Sequence, residues 1–411
     1  MNQLSPTLKL VSIPDDKYSS YRYDVIFKAY KWDPQVGDHN TISKHAVLIS
    51  QENAAQLESW AEQMSMETAS IEEELIKRIP LAKELGLPSS VYKTLHRLAS
   101  YDRNQNVRLL RFDFHPTETG WAVSEVNSDV PGGMAESTVM PGIARDYLCN
   151  SNVIATDRSV AKNLLKAFRM KIKGNGRVAF VHATSYSDDR QVMQFLSDYF
   201  NAHGLDALFV APDHLRWRNR KAQSILEGEE GEVDGIVRFF PLEWFENLPK
   251  NSDWQGYFDC ITPSCNHPVA ILTQSKRLPL IWDKLGIEIP AWKRFLPDTK
   301  EAASITQSEE RWIYKPALGR VGENISIKGA IPEKEVSLIE KAVRKQPKNW
   351  IAQRMFNSAP FLTDDGESYH ICVGVFTVDG KPAGFYGRAS QYPRIDDRAK
   401  DIPILITKGG H

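Results

Sequence analysis

The chain has 411 residues, 42% of them hydrophobic and 25% charged, with a formal net charge of −1. That length exceeds what one small core needs, and the charge balance gives no bulk basic field for holding a nucleic acid or an anionic membrane. No apolar run approaches the roughly 18 residues of a membrane span, and residues 1–16 lack the basic cap and apolar core of a secretory signal. Four dispersed cysteines (Cys149, Cys260, Cys265 and Cys372) suit a reducing, cytoplasmic setting, and their spacing does not fit the usual zinc knuckles.

In chain order, residues 53–100 carry apolar side chains at helical spacing: Leu57, Trp60, Ala61, then Ile71, Leu75 and Ile76. Pro80 and Pro88 punctuate them. Residues 1–104 read as a largely helical segment packed on the rest. Residues 105–160 open with two strand-like runs, Val107–Phe114 and Gly120–Asn127, joined as a hairpin. Residues 161–267 alternate strand and helix. Arg177–His182 reads as a strand, Asp188–His203 as a helix stopped by Gly204, and 205–210 and 235–240 as further strands of a parallel sheet. In 268–411 the pattern predicts a helix at Ser275–Leu285 and a strand ending at Tyr314. A glycine loop follows at Gly319–Gly322, then a strand at Asn324–Ile327. A helix at 333–345, a strand at Trp350–Phe356 and a hairpin turning on Asp379-Gly380 complete the pattern.

The first hairpin carries the densest chemistry. Alternation places Arg111 and Asp113 on one face, with Phe112 and Phe114 on the other. The same rule groups Val123, Glu125 and Asn127. If Asp113 faces Glu125, then Arg111 faces Asn127, and one surface holds a cation, two carboxylates and an amide. Facing carboxylates about 5 Å apart repel, and a divalent cation removes the conflict. Two carboxylates and a carboxamide oxygen are hard ligands suited to Mg²⁺. A solvated surface hairpin has the same pattern. Downstream, Lys315-Pro-Ala-Leu-Gly319-Arg320-Val-Gly322 ends a strand in a glycine loop able to aim backbone N–H groups at phosphate. It is neither a Walker A sequence nor a dinucleotide fingerprint, and an exposed hairpin turn also fits it. Lys276 and the strand Trp350-Ile-Ala-Gln353 are further candidates, each of which also suits an ordinary surface or core position.

Taken in order, several stretches resemble the glutathionylspermidine synthase family, specifically its ATP-grasp module rather than its amidase. They are Arg111-Phe-Asp-Phe114, Glu125-Val-Asn-Ser-Asp-Val-Pro131, Ser187-Asp-Asp-Arg190 and Val237-Arg-Phe-Phe-Pro-Leu-Glu-Trp244. Ser275-Lys276, Lys315–Gly322, Gln353 and Gly374 through Arg388 follow, and the whole set spans about 105–390. The resemblance implies an α/β ATP-grasp fold with a small Rossmann-like domain inserted, and ATP and Mg²⁺ as cofactors. It implies that Asp113, Glu125 and Asn127 hold magnesium and that Lys276 and Lys315 meet ATP phosphates, with Gly319 and Gly322 in the loop. Gln353 matches the adenine pocket. Arg111 and Arg388 match active-site arginines, and Arg320 matches the arginine of a closing loop. The reaction implied is amide formation between a carboxylate and an amine through an acyl phosphate, glutathione and a polyamine being one such pair. An ATP-binding sensor without turnover, or a ligase for another peptide or metabolite, is also compatible with the residues. Two stretches depart from the family pattern: Ser128–Gly133 has fewer hydroxyl residues, and the sequence after Arg388 lacks the acidic continuation. The first hundred residues contain no cysteine, so no amidase nucleophile is expected there. For a polyamine pocket, Asp129, Glu136, Asp364, Asp365 and Glu367 are the acids at hand. Oligomeric state is left open.

Overall fold

The computed structural model describes residues 7–98, 101–148, 152–172, 175–305, 312–319, 325–326 and 331–408. Its centre is a six-stranded sheet in which Lys400–Ile402, Lys381–Ser390, Ser368–Val378, Leu109–Thr117 and Gly120–Asn127 lie side by side, with Pro360–Leu362 pairing Ser368–Val378. Every pairing in it is antiparallel. Strand alternation sends Phe112, Phe114, Val373 and Val375 to one face, where they are fully buried. That face packs on the helix Gln51–Lys77, whose Leu57, Trp60, Ala61, Met64, Ile71 and Leu75 form the apolar stripe. Ser50 caps this helix by accepting a hydrogen bond from the Asn53 N–H at 3.1 Å. On the other face, Phe376, Val378 and Ala383 pack against Met134–Leu148 and Val160–Ile172.

Ser264–Cys265, Gly235–Phe239, Arg177–His182 and Asp206–Val210 form the expected parallel sheet. The helix Ser187–Ala202 crosses between its last two strands, and Gly204 takes the left-handed conformation just past it (φ +82°). A smaller antiparallel sheet, Thr299–Glu301, Trp350–Arg354 and Trp312–Pro316, is covered by the helix Glu333–Lys345 through Val336, Ile339 and Val343. The N-terminal strands Leu8–Ser12 and His45–Ser50 join Ile404–Thr407 and Val153–Ile154 in a fourth sheet. The whole is the expected ATP-grasp arrangement, with the parallel unit lying in the chain between the carboxylate hairpin and the smaller sheet. No helix among the described residues is long and apolar enough to cross a membrane.

Two local expectations change. Ser275–Leu285 is not one helix: a short helix, Ile271–Gln274, stops at an extended Ser275, and two 3₁₀ turns follow at Leu278–Leu280 and Trp282–Leu285. Pro279 removes an amide donor and blocks the helical path. Ser275 Oγ instead donates to the Leu85 carbonyl at 2.6 Å. The strand expected at Asn324–Ile327 lies outside the described residues except for Ile325 and Ser326. Ser326 there donates its N–H to the Tyr314 carbonyl at 3.2 Å.

Candidate active site

The hairpin places Asp113 opposite Glu125 and Arg111 opposite Asn127, the register that strand alternation required. The register then slips between Asp113 and Phe114, so that Ser124 is an extra residue and Val123 pairs with Phe114. Val123 is therefore on the apolar face, not beside Glu125 as the simple alternation predicted. The bulge has a use. Ser124 offers its carbonyl to Lys315 Nζ at 3.1 Å, and its hydroxyl meets His115 Nε2 at 2.9 Å.

Charges are matched tightly around this face. Arg111 grips Asp113 with Nε and Nη2, at 2.7 and 2.9 Å, and donates Nη1 to the Gly132 carbonyl at 2.7 Å. Its guanidinium lies 4.9 Å from the centre of the Tyr386 ring. Asn127 Nδ2 donates to Asp113 Oδ2 at 2.9 Å. Lys276 Nζ reaches Glu125 at 2.9 Å and the Gly319 carbonyl at 2.6 Å. The Lys276 amide also donates to the Ala317 carbonyl at 2.9 Å, which draws the two lysine segments together. Lys315 donates to Gln353 Oε1 at 2.7 Å, and Gln353 Nε2 donates to Thr299 Oγ1 at 3.2 Å. Gly374 sits across from Asp113, and a Cβ there would fall 2.9 Å from Arg111 Cδ and 3.1 Å from Asp113 Oδ1. Gly133 has φ +85°, and a Cβ on it would meet the Tyr386 ring at 2.7 Å.

Burial sets the titration of this cluster. It lowers the Lys315 ammonium to about 8, helped by Lys276 and opposed by Glu125. Burial alone would raise Glu125, but Lys276, then Lys315 and Arg111, hold it down at about 2. Burial and then Lys315 take His115 down to about 3, so its imidazole is neutral at pH 7.

A cavity of about 360 Å³ opens on these groups. Arg111, Asp113, Glu125, Lys315 and Arg388 supply its polar wall, while Ile313, Met355, Phe356 and Ile395 supply an apolar one. Arg388 donates Nη2 to the carbonyls of Asp396 (2.7 Å) and Ala399 (2.8 Å), and its Nε lies 3.5 Å from Asp401 Oδ1. Asp401 also accepts from Tyr386 Oη at 2.6 Å and pairs with Lys31 at 2.8 Å.

The structure thus gathers Arg111, Asp113, Glu125, Lys315 and Arg388 around one space. Lys276, Asn127 and Gln353 stand directly behind, each bonded to one of those residues. Gly319 contributes through its carbonyl, and Arg320 and Gly322 lie outside the described residues. Sequence reasoning missed His115, the Ser124 bulge, Tyr386 and Asp401. Tyr386 was within reach, since it stands two residues before Arg388 and so shares its face. Four of the acids considered for an amine pocket do other work. Asp129 is fully buried against Arg238 and accepts the Leu242 N–H at 2.9 Å, Glu136 pairs with Lys31 at 3.4 Å, and Asp365 and Glu367 gather near His45. None of the five lines this cavity.

The donor set fits a magnesium ion. Two carboxylates meet in register with a carboxamide beside them, and a half-turn of that amide would exchange its nitrogen for its oxygen. Arg111 and Lys276 occupy the carboxylates as the charge partners a metal would replace.

No curated protein sequence matches this chain. Among solved structures, a glutathione synthetase-like effector from Globodera pallida, in its apo form, aligns with a TM-score of 0.64 at 11% identity, over 96% of this chain and 99% of that one. A putative gamma-glutamylcysteine synthetase from Methylobacillus flagellatus KT aligns at a TM-score of 0.40 and 11% identity, over 81% of this chain and 84% of its own. The first of these shares the fold. The model of the glutathionylspermidine synthase preATP-grasp family matches residues 20–407, nearly the whole chain, and the protein belongs to that family.

Proposed function

We propose that this protein is an ATP- and Mg²⁺-dependent carboxylate–amine ligase that works through an acyl phosphate. The observation that carries this reading is the meeting of Asp113 and Glu125, opposed across one hairpin, with Lys276 and Lys315 from two other segments. The nucleotide-binding part is assigned to residues 268–411 with the hairpin region 105–160, and residues 161–267 form the inserted unit.

Asp113, Glu125 and Asn127 would hold the magnesium, which when bound draws charge from the transferred phosphoryl oxygens. Lys276 and Lys315 would add positive charge against those same oxygens. Gln353 and Ser124 hold the Lys315 ammonium in place, so little reorganisation is needed when phosphate arrives. The apolar wall of Ile313, Met355 and Phe356 gives a purine a slot, and the backbone that follows Gln353 offers its edge polar partners. The substrate carboxylate attacks the γ-phosphorus, ADP leaves, and an acyl phosphate forms. The amine then attacks the acyl carbon and phosphate departs, and Arg111 and Arg388 stabilise the oxyanion that appears on the way. Arg320, outside the described residues, is the candidate by family resemblance for shielding the intermediate from water. The cavity's cations outnumber its acids, which favours an anionic acid component such as a small peptide.

The test is ADP release with ATP, Mg²⁺ and a panel of small peptides paired with polyamines and other amines. At least one pair yields ADP, phosphate and amide in equal amounts. ATP-induced thermal stabilisation with no product from any pair would instead identify a nucleotide-binding protein without turnover.

A further inference from the structure

Away from the cavity, His45, Asp365 and Glu367 converge so that one potential ligand atom from each lies within 4.8 Å of the others. His45 begins the strand His45–Ser50, and the two acids sit in the turn between Pro360–Leu362 and Ser368–Val378. His45 is only 2% exposed. Its Nδ1 meets Ser12 Oγ at 3.1 Å, and its Nε2 points at Glu367 Oε2 across 3.8 Å, too far for a hydrogen bond. Burial lowers the pKa of the ring, so it is neutral at pH 7. In the tautomer that gives Nδ1–H to Ser12, Nε2 turns a lone pair toward the carboxylates, an arrangement that a cation completes.

The acids are themselves held. Thr363 Oγ1 donates to Asp365 Oδ1, and Tyr369 Oη donates to Glu367 Oε2 at 2.7 Å. The turn is closed by Thr363 N–H to the Glu367 carbonyl at 2.8 Å. Two lysines are near. Lys44 Nζ is 3.9 Å from Asp365 and pairs at 2.6 Å with Asp15, and Lys400 Nζ is 3.4 Å from Tyr369 Oη. One imidazole nitrogen with two carboxylate oxygens suits a first-row divalent ion such as zinc, cobalt or manganese better than magnesium.

We propose that His45, Asp365 and Glu367 form a second divalent-metal site, distinct from the ligase cavity, that clamps the Thr363–Glu367 turn to the N-terminal sheet. Asp365 and Glu367 are half exposed, which leaves their carboxylates room to turn onto an ion. The ion would steady Pro360–Leu362, the strand that continues from the cavity-lining segment Met355–Ser358.

The test is titration of the full chain with Co²⁺ in excess Mg²⁺, read by calorimetry and by the visible d–d absorption of cobalt. One equivalent should bind in the micromolar range and raise the melting temperature. H45A, and separately the surface double variant D365N/E367Q, should each weaken binding by about 10- to 100-fold or more. D113N should retain this binding, which keeps the site separate from the ligase reading. Absence of Co²⁺ binding, or binding that either variant leaves unchanged, overturns the proposal. The double variant decides the matter if H45A fails to fold.

Discussion

Lys315 is the residue whose chemistry is most exposed to test. Its buried ammonium titrates near 8, below the ordinary lysine value of 10.5. In the free enzyme it therefore loses its charge as pH rises through about 8, and kcat/KM for ATP should fall about tenfold per pH unit above that point. In K315M this limb should vanish along with most activity. Because the folded pKa is depressed, the unfolded chain binds the extra proton between about 8 and 10.5, so this group's contribution to stability rises with pH across that window. Replacing Gln353 by Leu removes a hydrogen bond to the charged form, and the alkaline limb should move to lower pH. Glu125 shows the same sign of pH dependence in the acid range. Held at about 2, it contributes stability that is fully present above 4.5 and lost as pH falls through 2, and E125Q should flatten that part of the acid-unfolding curve. The candidate site was legible here to the extent that it followed from strand alternation. Arg111, Asp113, Glu125 and Asn127 could be placed on one face from spacing alone. The Ser124 bulge could not, because an extra residue leaves no mark on the hydrophobic pattern beyond one misplaced valine.

Among the elements, the hairpin depends on what lies across from it. Gly374 leaves room for the Arg111–Asp113 pair, and the Cβ of G374A would press on both side chains. G374A should cost about 1–3 kcal/mol of stability and should lower kcat by about tenfold or more through displacement of Arg111. A larger stability loss belongs to the helix behind the sheet. Trp60 packs on Phe114 and Phe295, and W60A should cost about 3–5 kcal/mol, measured by denaturant unfolding. That helix was readable because its stripe keeps the helical period from Leu57 to Leu75. The segment after Gln274 was not read correctly, since the apolar residues around Pro279 kept helical spacing while the proline excluded the helix. The resulting kink is what brings Lys276 to Glu125.

At the scale of the whole molecule, the site is built by contacts between residues far apart in sequence. Asp129 and Arg238, 109 residues apart, form a fully buried pair that ties the loop after the carboxylate hairpin to the parallel sheet. Removing one partner leaves an unpaired buried charge, and D129A should destabilise the protein by about 3–5 kcal/mol. Asp401 links Lys31, Tyr386 and Arg388 behind the cavity. No spacing rule reveals such partners, which is why the fold was legible from its elements and their order, whereas the supports of the site were not. In the proposed reaction a substrate carboxylate is activated by the phosphoryl group of ATP. The most direct measurement supplies a panel of peptides with ¹⁸O-labelled carboxylates, together with ATP, Mg²⁺ and amines, and reads the isotope in the released phosphate by mass spectrometry. Transfer of one ¹⁸O atom into each phosphate, for at least one peptide, is the predicted result. ADP release with unlabelled phosphate for every peptide would contradict the acyl-phosphate account.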